Sequence, residues 1–351
     1  MMPVEWPIAA GAADHRVEPA RRAGRDRLPI VRRDLFLDDR ARLTEQERAL
    51  MSAMLSALVD QIADEIRLAL PPDLLAHAEP DRERIVARLW NRGALDRPAL
   101  VLLLLRRADE QLIAAACRES RGSGDGGTVE RLVGDGDGAI ASAAMALAVA
   151  RGRRRDRFGR LGLEFDDVPQ EEARGLAHLV AAAIRKGVAG PSVAIDEVLA
   201  EAVERLLHRH DEVRRVEMRA LSLVEALVAV RGSDDQVIAA LAAEGDAALL
   251  SALCAVRAEI APETAWMLLV NEGAHDAMLL ARLAGLGRPA AAAMVAALAE
   301  PLAWGEPGEA IACFDTLAAS EVEEARRWWR LPPAYHAALE RTGGGDGQPL
   351  D

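Results

Sequence analysis

Glu204, His208 and Asp211 are residues whose types and spacing point towards chemistry, because intervals of four and three place them one above another on a helix. A carboxylate di-metal bundle needs Glu-x-x-His twice, from two helices. Here the interval differs and there is no second copy, so the trio reads as a solvated or salt-linked face. His208 and His210 are two apart and point to different sides of a helix. Asp135-Gly-Asp137-Gly opens like a calcium loop, but Ala139 and Ala146 stand where further ligands belong. Gly122-x-Gly124-x-x-Gly127 matches the dinucleotide fingerprint in letters only; a helix precedes it and no βαβ unit follows, so it reads as a linker. Cys117, Cys254 and Cys313 lack paired ligand spacing and read as reduced core residues of a cytoplasmic protein. There is no nucleophile elbow, P-loop or HExxH. The sequence thus names no catalytic residue, metal site or cofactor.

The elements that would carry such residues are helices. Apolar residues make up 51% of the chain, much of it alanine, while aromatics are only 3%. Alanine is the best helix former, and a strand-rich fold would lack its preferred residues, so the class is all-α. At 351 residues the chain is two domains or one extended array. Residues 1–33 mix Pro, Gly, Arg and Ala without periodicity and are expected to form a disordered basic arm. The helical-repeat domain is expected over 34–341, with a subdivision at 152–167, and a polar, glycine-rich tail follows over 342–351. Thr44-x-x-Glu47 is a capping box opening a long N-terminal helix that runs to Leu70, where Pro71-Pro72 stops it. Leu55, Leu58, Ile62, Ile66 and Ala69 form its apolar stripe. Ser233-x-x-Gln236 and Ser320-x-x-Glu323 are further capping boxes, and Pro169, Pro262, Pro289 and Pro307 mark first helical turns.

An internal repeat gives the architecture. Asp246-Ala-Ala-Leu-Leu-Ser-Ala-Leu253 aligns with Asp276-Ala-Met-Leu-Leu-Ala-Arg-Leu283, and the frame recurs at Asp137 and Asp109. In each copy an aspartate stands where an N-cap belongs, with Leu or Ile three residues on and, in all but the Asp137 copy, a second at four. Such units bury their apolar faces only by stacking, which predicts a HEAT-like α-solenoid of helix pairs. Asp211-Glu-Val-Arg214 followed by Ala220-Leu221 has the pattern that opens the second helix of such a pair. Ala41-Arg-Leu-Thr-Glu-Gln-Glu-Arg48, continuing through Leu58-Val59 to Asp64-Glu-Ile-Arg-Leu-Ala-Leu70, resembles the opening of an alphaproteobacterial family known only as domain of unknown function 2336. The later aspartate-led pairs are similar too, over about 35–341. That resemblance implies a helical-repeat fold and carries no established activity, cofactor or site residues.

Charge narrows the function classes. The net charge is −13, and the first 33 residues carry +3, which leaves −16 on the rest. Such a body disfavours nucleic acid as a partner. Against it stand two arginine runs, at 16–33 and at Arg151–Arg160, the latter including Arg153, Arg154 and Arg155. They offer contacts to phosphate, RNA or an acidic protein patch, or simply a solvated loop. No run of 18 uncharged apolar residues exists; Leu100–Leu105 ends at Arg106-Arg107, so no membrane span is expected. The N-terminal apolar stretch is too short for a signal peptide. Five of the eleven aromatics fall in the last fifty residues, where Trp328 turns away from the face shared by Val322, Ala325 and Trp329. The expected function is a protein-interaction scaffold or regulator with no evident catalytic activity. The alternative is a nucleic-acid-binding helical-repeat protein using its arginine runs. The expected surfaces are Met51 and Leu55 on the long helix, also a route to self-association, then Arg153–Arg155 and Trp328.

Overall fold

A computed structural model describes residues 43–72, 82–121, 127–155, 161–186, 193–232, 235–271, 273–332, 335 and 338. The expected arm, tail, Gly122–Gly124 linker and Ser233 cap lie outside these residues. The chain divides into residues 1–48 and residues 49–351. In the first part, Thr44 N–H donates to Glu47 Oε2 at 2.5 Å and Glu47 N–H donates to Thr44 Oγ1 at 3.1 Å, a complete capping box.

Among the described residues there are fifteen α-helices and no strand. They are α1 (Glu45–Leu68), α2 (Arg82–Trp90), α3 (Pro98–Arg121), α4 (Thr128–Val133), α5 (Gly138–Arg153), α6 (Gln170–Arg185), α7 (Val193–Arg209) and α8 (Val216–Arg231). There follow α9 (Asp235–Glu244), α10 (Ala247–Ala258), α11 (Pro262–Val270), α12 (Ala274–Leu283), α13 (Arg288–Leu298), α14 (Pro307–Thr316) and α15 (Ala319–Trp329). Pro262, Pro289 and Pro307 sit in first turns, where a missing N–H costs nothing.

Residues 49–351 contain two apolar cores. The first gathers the buried stripe of α1 (Leu58, Ile62, Ile66) with α2, α6, α7 and the N-terminal half of α3. The second gathers α4, α5 and α8–α15 with Ile113 and Cys117 from the C-terminal half of α3. Helix α3 is therefore common to both. Helix α10 buries Ala247–Ala255 and Ala258, nearly all of its circumference, and so occupies the middle of the second core. Around it α8 packs on α10, α10 on α12 and α12 on α14, every second helix against the next, while α9 packs on α13.

The aspartate frame is kept at two of its four positions and relaxed at two. Asp137 N-caps α5, accepting from Ala139 N at 2.8 Å and Ile140 N at 3.2 Å. Asp246 N-caps α10, accepting from Leu249 N at 3.1 Å. Asp276 lies inside the first turn of α12 and accepts from Asn271 Nδ2 at 2.6 Å. Asp109 does not start a helix; it sits in the middle of α3, because Pro98–Arg121 contains no breaker to end a helix ahead of it. The Ser320 box is also absent. Helix α15 begins at Ala319, two residues too early for Ser320 to cap it, and Glu323 pairs with Arg326 at 3.4 Å instead.

Asp246 carries a second duty that a plain cap lacks. Both its oxygens accept from Arg151 of α5, at 2.7 and 2.8 Å, tying α5 to the start of α10. Asp246→Ala is therefore expected to cost about 2 kcal/mol, against about 1 kcal/mol for Asp137→Ala, whose loss is the cap alone. Urea unfolding of the two variants measures the difference, and equal losses would show that the Arg151 fork contributes nothing.

Candidate functional site

Two features bring charged side chains together: a buried cluster where the chain crosses between cores, and an open cleft beside α7. The chain leaves the second core after α5, enters the first through α6 and α7, and returns at α8. Both crossings are made by short 3-10 turns, Phe165–Asp167 and Glu212–Arg214, which lie against each other. Asp211 caps the second turn through Val213 N at 3.0 Å, while its own N–H donates to Asp166 Oδ1 at 3.0 Å. His210 stands edge-on to Phe165 with centroids 5.2 Å apart, and its Nε2 is 2.9 Å from the Val168 carbonyl.

Arg107 of α3 is the centre of the crossing and is 1% exposed. Its guanidinium donates to Glu110 one turn on, at 2.7 Å, and to Glu217 at the start of α8, at 2.8 Å. Asp167 lies 4.0 Å away and takes both arms of Arg154, with Arg154 Nε at 2.7 Å. Arg106 adds a further contact to Glu110 at 3.1 Å and covers the Trp266 ring at 4.7 Å from its centroid. Burial opposes charge on Arg107, yet Glu110 and Glu217 more than offset it and raise its pKa. Burial likewise pushes Glu217 up, but Arg107 and then Arg106 hold it down at about 2. For Arg154, burial and the nearby Arg107 lower the pKa to about 9, still well above neutral. Glu217, Arg107 and Arg154 are thus held in their charged forms near neutral pH. That suits a structural joint rather than acid–base exchange.

The cleft has a volume of about 1080 Å³ and lies between the C-terminal end of α1, the start of α6 and the C-terminal half of α7. Its walls carry Arg174, Arg205, Arg209, His208 and His210 together with Glu65, Glu201 and Glu204. Arg209 pairs with Glu65 at 2.8 Å, and Arg205 donates to the Ala69 carbonyl at 3.2 Å. Leu68 stands on its edge, 80% exposed. The helices behind these walls are fixed by buried residues: Ile62 and Ile66, Ala173 and Ala177, Ala202 and Val203.

Of the sequence candidates, Glu204 and His208 face this cleft, while Asp211 turns away to cap 212–214. His208 and His210, set apart by helical spacing, both border the cleft because α7 ends at Arg209 and His210 leaves the helix. Among the described residues no group of three His, Cys, Asp or Glu is placed to hold a metal ion. Leu55 is 6% exposed and belongs to the first core, and Met51 is half-buried against it. The arginine run splits: Arg153 and Arg155 are exposed, whereas Arg154 points inward to Asp167. Trp328 is 43% exposed and edge-on to Trp329, and Val322 is buried in the second core. Cys117 and Cys254 are core residues, and Cys313 is half-buried. Among the described residues no helix is long and apolar enough to cross a membrane. Comparison of the chain with protein-family models, with curated proteins and with solved structures finds no match in any of the three.

Proposed function

We propose that this chain is a cytoplasmic protein-interaction scaffold or regulator built on HEAT-like stacked helix pairs, and that it binds a charged segment of a partner protein in the cleft beside α7. The cleft is the observation that carries this reading. Its size accommodates several residues of extended chain, its walls present guanidinium and carboxylate groups side by side, and Leu68 supplies an apolar contact at the edge. Side chains of both signs on fixed helices select a partner by charge pattern. The succession of α8, α10, α12 and α14 supports the stacked-pair architecture. Membership of the domain of unknown function 2336 family, proposed from residues 41–70, fits the same arrangement. A nucleic-acid reading through the arginine run has less to work with, because Arg154 is buried against Asp167.

The test is affinity capture from the native cell, using wild type, an Arg174→Glu/Arg205→Glu variant and an Arg288→Glu variant. Arg288 lies on α13 in a surface pair with Asp315 and serves as the control. A partner held by wild type and by Arg288→Glu should drop about tenfold or more with the double reversal, the range for opposing charges at an interface. Equal recovery with all three proteins would remove the cleft from consideration.

A further inference from the structure

The corner formed by α12, α14 and α15 holds a nucleophile, a base and a carboxylate in line. Sγ of Cys313 on α14 is 3.9 Å from Nδ1 of His275 on α12. Nε2 of the same ring is 3.3 Å from Oε1 of Glu321, near the start of α15. An ionised carboxylate only accepts hydrogen bonds, so in the neutral ring Nε2 carries the hydrogen and Nδ1 turns its lone pair to the thiol. Imidazole and carboxylate are 57% and 45% exposed and Cys313 between them and the core is half-buried, so the group borders solvent. Burial, and then Glu321, push the Cys313 thiol above its ordinary value. At rest the group is therefore a thiol, and reaction requires the base beside it. Cys117 and Cys254, by contrast, are closed off in the second core.

We propose that Cys313 is a site of reversible thiol modification, in which His275, oriented by Glu321, removes the thiol proton as Sγ attacks a small-molecule disulfide of the glutathione type. One S–S bond forms between Cys313 and the reagent while the reagent's own S–S bond breaks. The departing thiolate takes the proton from His275 Nδ1 and leaves as free thiol. Cys313 is oxidised to the mixed disulfide and half of the reagent is reduced, so the electrons balance. An added dithiol reverses the step. This site is separate from the cleft and does not depend on what binds there.

The experiment treats the full-length chain with glutathione disulfide at neutral pH and follows it by intact-mass spectrometry and peptide mapping. One glutathionyl group is expected, on Cys313 alone, removable by dithiothreitol and absent from Cys313→Ser. His275→Ala should slow its formation by about tenfold or more, at or below the range for a positioned general base. The His275 ring is over half exposed, so this variant should keep wild-type helicity and melting temperature; if it does not, His275→Gln takes its place. An unchanged rate in the folded His275 variant, or modification of Cys117 or Cys254 ahead of Cys313, would overturn the proposal.

Discussion

Replacing Arg107 by methionine is expected to destabilise the protein by about 3–5 kcal/mol, the range for removing one partner of a buried ionic group. Methionine fills much of the same space, so the loss comes mainly from what is left behind. Glu217 and Glu110 would remain in a largely enclosed place without the guanidinium that binds both. Asp167 would lose its second cation. Urea unfolding followed by circular dichroism measures the change. Glu217→Gln should cost less, because Arg107 keeps Glu110. The double variant should fall short of the sum of the two by about 0.5–3 kcal/mol, the usual coupling between residues in contact. A loss under about 1 kcal/mol for Arg107→Met would mean that the crossing is held by the apolar residues around it and not by charge.

Gly245→Ala is expected to cost about 3 kcal/mol or more, from two sources. Gly245 follows α9 with φ of +68°, and a left-handed conformation costs a residue with a Cβ about 1–2 kcal/mol. The added Cβ would also lie 2.9 Å from Ala114 Cα and from both Cβ and Sγ of Cys117. One of these neighbours is backbone of α3 and cannot swing aside, so α9 or α3 has to shift, at about 1–3 kcal/mol. Gly285→Ala is the matched control, since Gly285 has φ of +66° with nothing within 4 Å of a built Cβ. The difference between the two variants isolates the close approach of the α9 terminus to α3. If both lose the same amount, that approach is less tight than the distances indicate.

The helical class was legible because alanine excess and apolar periodicity are local properties, and local properties decide where helices form. Thr44 with Glu47, Asp137 ahead of Ile140 and Asp246 ahead of Leu249-Leu250 were legible for the same reason, since a cap bonds to amides two or three residues away. Asp109 shows where this fails: the same letters recur inside a longer run without a breaker, and the helix continues through them. The charged crossing lay out of reach. Arg107 and Glu110 are one turn apart, but Glu217 is 110 residues away and only the fold brings it in. Arg154 was equally hidden, because a run of arginines shows its charge without showing that one side chain turns inward while Arg153 and Arg155 stay in solvent. Cys313, His275 and Glu321 come from three different helices, at separations that match no motif.

Helix α3 has a consequence for dissecting the molecule. Its 24 residues span about 36 Å, with Leu100, Leu103, Leu104 and Ala108 in one core and Ile113 and Cys117 in the other. A fragment ending near residue 215 would keep the first core but bare the second half of this helix together with the inner faces of α4 and α5. A fragment starting near residue 216 would lack the strut on which α9, α10 and α13 rest. Neither half carries a complete interior, so limited proteolysis in the 212–215 turn should release no stable piece, and residues 49–351 should melt as one cooperative body.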